Sequence, residues 1–110
     1  MDYIPDQGDI IWLNFDPSGG REIIKRRPAF VISRKAFNAH TELAIVAPIT
    51  STVRGIKLEV VLPDKMATQG SVLVHQLKSL DFQYRQAEWV ERAPKKIIEQ
   101  VCAIAKVILS

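Results

Sequence analysis

The apolar positions of the chain fall into short runs separated by turn-forming residues, and only the last run has helical spacing. Ile10-Ile11-Trp12-Leu13-Asn14-Phe15 follows Gly8-Asp9 and predicts a largely buried strand with Trp12 in the core. Asp16-Pro17-Ser18-Gly19-Gly20 stops it, because proline fixes φ and glycine lets the backbone turn. Pro28-Ala29-Phe30-Val31-Ile32-Ser33 predicts a second strand that starts at its proline, and residues 35–40 a short helical turn. Leu43-Ala44-Ile45-Val46-Ala47-Pro48-Ile49 predicts a third buried strand, its internal proline marking an edge or a bulge. Residues 50–55 read as a loop. Residues 56–62 begin with an alternation that predicts a half-exposed strand, Gly70 opens a strand over 71–77, and 85–90 is one more.

The tail differs. Pro94 is placed for a first helical position, and Ile97, Ile98, Val101, Ile104, Ala105 and Ile108 recur at spacings of three and four. Many short strands followed by one amphipathic helix predict a mainly β fold with a C-terminal helix: a small, strongly curved β-barrel with the helix packed on it. At 110 residues the chain suits a single domain over 1–110.

Composition narrows the class. A 47% hydrophobic and 25% charged chain is too apolar for disorder, yet no apolar run is long enough to span a bilayer. The first six residues lack the apolar segment of a secretory signal, and the single cysteine, Cys102, permits no internal disulfide and is expected buried and inert. A cytoplasmic protein is the expectation. Net charge is only +3, but it is unevenly placed. Asp2, Asp6, Asp9 and Asp16 precede a cluster of Arg21, Lys25, Arg26, Arg27, Arg34 and Lys35 that contains one acid, Glu22. Such a cluster suits a polyanion such as nucleic acid, or is a solvated loop.

Several chemistries are absent from the sequence. It has no H-E-x-x-H, C-x-x-C, phosphate-loop or G-x-S-x-G motif, and only two histidines, so neither a preformed metal site nor a cofactor is expected. Pro63-Asp64 lacks the second acid and lysine of a metal-dependent nuclease. What remains is polar groups at strand ends: Arg27 before Pro28, Thr50-Ser51-Thr52 after the third strand, His75-Gln76 in a late strand, and Glu22 in the basic loop. Such groups suffice to cleave RNA, whose own 2′-OH is the nucleophile. The protein need only take that proton, neutralise the phosphorane and protonate the leaving 5′-oxygen. DNA, lacking the 2′-OH, would be spared. Structural roles stand beside these: Arg27 as an ion-pair partner, Thr50-Ser51 as a self-satisfied turn, Glu22 as a counter-ion and His75 as a strand histidine.

The ordered series from Gly8-Asp9-Ile10-Ile11-Trp12 through Asp16-Pro17-Ser18-Gly19-Gly20-Arg21-Glu22 and Arg27-Pro28-Ala29-Phe30-Val31 resembles the opening of MazF/PemK toxins. Phe37-Asn38, Ala47-Pro48-Ile49-Thr50-Ser51, Gly55 and Gln76-Leu77-Lys78-Ser79-Leu80-Asp81 extend the resemblance over nearly the whole chain. The resemblance implies an SH3-like barrel homodimer and a metal-independent endoribonuclease acting on short motifs in single-stranded RNA. It implies products with a 2′,3′-cyclic phosphate and a 5′-hydroxyl, and a cognate antitoxin that blocks the site. By the same resemblance Arg27 is the phosphorane-stabilising cation and a candidate acid, and Thr50 a hydroxyl donor to the scissile phosphate. Glu22 and His75 complete the catalytic candidates, while Ser51, Gln76, Arg21, Lys25 and Arg26 are the RNA-binding ones. Two positions depart from the family pattern: the loop carries Ile23 and Lys25 where the family has Gln and Gly, and His75 replaces an acid. The cut motif is therefore not transferable from relatives. The rivals are a gyrase-poisoning toxin of the same fold, an inactive RNA-binding paralogue, and a peptide-binding SH3 module.

Overall fold

The computed structural model describes residues 3–15 and 25–110. Strands β1 (Asp9–Asn14), β2 (Arg26–Val31) and β3 (Ala44–Thr50) form an antiparallel meander, with the short helix α1 (Lys35–Thr41) between the last two. Then come β4 (Glu59–Val61), β5 (Ser71–Leu73), a 3₁₀ turn (Val74–Gln76), β6 (Lys78–Leu80), β7 (Glu88–Arg92) and helix α2 (Lys95–Leu109).

Among the described residues the strand order is β4-β5-β3-β2-β1-β7, with β6 also on β3. The expected small barrel does not close: the sheet is open, and its end strands β4 and β7 do not pair with each other. α2 covers that side instead of a strand ladder. Its Ile97, Val101 and Ala105 bury against Phe30, Ile49, Val60, Leu62 and Val74. The opposite face is buried as well, in a cluster of Ile11, Leu13, Phe15, Ala29, Val31, Val46, Phe82 and Ala87. A sheet covered on both faces explains why β1 and β3 read as continuous apolar runs rather than alternating ones. Trp12 is the exception. It is 42% exposed rather than core, because it pairs with Pro28 and Glu88 toward the end of the strand, outside both clusters.

Pro48 marks neither an edge nor a bulge. β3 is an interior strand, with β2 along one side and two partners in turn along the other: β6 against Ala44–Val46 and β5 against Ile49–Thr50. Pro48, which has no N–H, falls where one partner gives way to the next. The 3₁₀ turn fills the same gap on the facing side and ends the expected 71–77 strand at Leu73, with β6 beginning only at Lys78. The 56–62 strand is likewise shorter than its alternation suggests, reduced to Glu59–Val61. Pro94 caps α2 rather than opening it, its carbonyl accepting from the N–H groups of Ile97 and Ile98. Cys102 is half-buried, and burial pushes its thiol pKa up.

Candidate functional site

The antiparallel register of β2 and β3 brings the two leading candidates together. The last paired position is Ala29 opposite Pro48, and two residues further along each strand stand Arg27 and Thr50. Directly opposite residues share a face of the sheet. Arg27 also faces Leu13 of β1, and Thr50 faces Ser71 of β5. Arg27, Thr50 and Ser71 thus form a polar row across three strands, on the side away from α2, continuing the face that carries Leu13 and Ala29.

Thr50 is buried, and its hydroxyl accepts the Thr52 N–H at 3.2 Å, which shapes the bend at Ser51 and keeps the hydroxyl proton for donation. The self-contained turn read from the sequence is therefore present and coexists with a donor. Ser51 is exposed. The Ser71 hydroxyl donates to the Glu59 carboxylate at 2.8 Å, and the same carboxylate accepts the N–H groups of Arg54, at 3.1 Å, and Gly55. These donors, the Arg54 N–H foremost, hold the Glu59 carboxyl below the usual carboxylate range. Glu59 thereby ties the 51–58 loop to the row beside Thr50. In the sequence it is only one polar position in an alternating strand, which gave no signal of this role.

His75 and Gln76 lie on the 3₁₀ turn rather than in a strand. His75 is exposed and Gln76 half-buried, and with Leu77 and Lys78 they line a shallow pocket of about 280 Å³. Lys78 pairs with Val46, two alternations from Thr50 on the same face of β3, and its ammonium lies 5.9 Å from the centre of the Phe15 ring. It too was missed as a site residue.

Lys25 and Arg26 line a second, polar pocket of about 540 Å³ with Asn14, Tyr84, Arg85 and Gln86. Arg26 is committed within it: its guanidinium donates to Asn14 Oδ1 at 3.0 Å, to the Gln86 carbonyl at 2.9 Å and to the Glu88 carboxylate at 2.5 Å. Arg21 and Glu22 lie outside the described residues. Among the described residues no three His, Cys, Asp or Glu side chains come together to hold a metal ion, and no helix is long and apolar enough to cross a membrane.

Residues 6–109 match the family described as the PemK-like, MazF-like toxin of type II toxin–antitoxin systems, and the chain belongs to that family. It is 39% identical over 85 residues to the endoribonuclease toxin MazF of Escherichia coli K12, covering 77% of this chain and 76% of that one. The crystal structure of MazF from Deinococcus radiodurans superposes with a TM-score of 0.93 at 40% identity, over 98% of both chains. A MazE–MazF crystal structure from the same organism gives 0.87 at 40% identity, over 98% of this chain and 97% of that one.

Proposed function

We propose that this chain is the toxin of a type II toxin–antitoxin pair: an endoribonuclease that cuts single-stranded RNA at a short sequence motif without a metal ion. The placement of Arg27 across from Thr50, by continuation of the β2–β3 register, carries this reading, because a cation and a hydroxyl donor side by side are what a phosphorane requires. The RNA 2′-OH attacks the adjacent phosphorus. Arg27 neutralises the charge that builds on the non-bridging oxygens, and Thr50 donates a hydrogen bond to the same group. The leaving 5′-oxygen departs protonated, with Arg27 the nearest candidate acid, and the products are a 2′,3′-cyclic phosphate and a 5′-hydroxyl. Glu22 and His75 are the two candidates for taking the 2′-OH proton.

Ser51, Gln76, Arg21 and Lys25 hold the RNA strand, while Arg26, engaged with Glu88, positions its neighbours. The working form is a homodimer in the cytoplasm, silenced by a cognate antitoxin; relatives crystallised as MazE–MazF complexes support that partner. Replacing the ribose at the cut position by deoxyribose tests the chemistry. Cleavage there should cease while the rest of the strand is cut as before; continued cutting at the deoxy position would require an external nucleophile and overturn the mechanism.

A further inference from the structure

The polar pocket of about 540 Å³ at the start of β2 has the composition of a nucleotide site, and the candidate catalytic row does not use it. Tyr84 is 77% exposed, an unusual state for an aromatic ring, yet it stands on a rigid base. The Tyr84 N–H donates to Asp81 Oδ1 at 3.0 Å. The N–H groups of Arg85, Gln86 and Ala87 are taken by the carbonyls of Asp81, Gln83 and Phe82. Beside the ring, Asn14 Nδ2 donates to Gln86 Oε1 at 3.1 Å, and the Asn14 oxygen is itself held by Arg26. The Gln86 amide is thereby oriented, with its Nε2 group left to donate. Lys25 and Arg85 lie on the same wall and add positive charge to it, Arg85 also reaching the Asn14 carbonyl at 3.5 Å.

Two of these residues, Lys25 at φ 73° and Gln86 at φ 57°, are non-glycine residues in the left-handed region. Glycine would relax the backbone at both, so a side chain there is held at a cost.

We propose that this pocket binds one nucleotide of the RNA strand flanking the cut, and selects its base. The base stacks on Tyr84, the Gln86 amide donates to an acceptor on the base edge, and Lys25 and Arg85 attract the attached phosphate. Arg26 and Arg27 are consecutive on β2 and project to opposite faces, so a strand passing the start of β2 meets both the pocket and the catalytic row. The ligand class rests on the ribonuclease reading; the pocket itself does not.

The test separates binding from cleavage by using 2′-fluoro RNA, which keeps bases and phosphates but has no attacking hydroxyl. Affinity for a labelled, mixed-sequence single strand is measured for the wild type and for Tyr84→Ala combined with Gln86→Gly, a pair that removes ring and amide while easing the backbone at residue 86. The variant should melt no lower than Tyr84→Ala alone and bind roughly tenfold or more weakly, as loss of one stacked base does. On ordinary RNA its cut sites should lose base preference at one flanking position. Unchanged affinity and an unchanged cut motif overturn the pocket while leaving the nuclease intact. Weakened 2′-fluoro binding in a protein that never cuts ordinary RNA keeps the pocket and overturns the nuclease.

Discussion

A Cβ atom added to Gly70 would stand 2.0 Å from the carbonyl oxygen of Thr50. It would also meet the Thr50 carbonyl carbon at 2.8 Å and the Ser51 Cα at 2.9 Å, all backbone atoms that cannot swing aside. Gly70 has a φ of 111°, which side chains rarely adopt, and its carbonyl accepts the Leu62 N–H at 2.8 Å. The glycine that opens β5 thus fixes how closely the chain can approach the end of β3. Gly70→Ala should destabilise the fold by about 2 kcal/mol or more, read from denaturant unfolding. It should also lower kcat in the protein that remains folded, because Thr50 must shift.

Thr50→Val tests the hydroxyl with little change of shape. The variant loses the acceptor for the Thr52 N–H, at about 1 kcal/mol. Cleavage should fall roughly a hundredfold, as removal of one donor to a developing anion does. The drop should lie in kcat more than in KM. A variant that cuts at the wild-type rate would make Thr50 a turn residue and nothing more.

The strand ends beside the site were legible to within two residues because their signals are local, although β2 runs over Arg26–Val31 rather than starting at the expected Pro28. Arg27-Pro28 and Thr50 each border an apolar run, and antiparallel neighbours joined by α1 have few registers available. α2 was legible from its three-four spacing. The break between β5 and β6 was not, since Val72-Leu73-Val74 runs apolar up to His75 and its interruption is imposed by the partner change at Pro48 on another strand. The open sheet was missed for a related reason. Many short strands suggest closure, but whether the end strands meet depends on α2 lying over β4. Tyr84 and Gln86 carried no signal of their own: a polar turn between Phe82 and Ala87 becomes a pocket wall only once Asn14 and Arg26 are beside it.

Glu59 makes the loop beside the site sensitive to acid. Its carboxyl sits below the ordinary carboxylate pKa in the folded protein, chiefly through the Arg54 N–H. A depressed folded pKa contributes stability that is fully present above the unfolded value, about 4.3, and is lost as pH falls through the folded one. Thermal melts of wild type and Glu59→Gln should therefore differ at neutral pH and draw together as pH falls below about 4.3, through the lower folded value. A gap that stays constant across that range would show that the Glu59 charge does not matter.

His75 and Glu22 predict different pH–rate profiles for His75→Ala. If the imidazole takes the 2′-OH proton, the variant loses the acidic limb of the profile and slows at neutral pH. If Glu22 is the acceptor, that variant keeps both its rate and its limb, while Glu22→Gln abolishes them.

The measurement that bears most directly on the whole account is the incubation of purified protein with mixed-sequence single-stranded RNA in excess EDTA, with Arg27→Ala alongside. The account predicts discrete fragments ending in cyclic phosphate from the wild type, cut at one short motif, and a rate at least about a hundredfold lower for the variant. Intact RNA from folded, antitoxin-free wild type, or equal cutting by the two proteins, would contradict it.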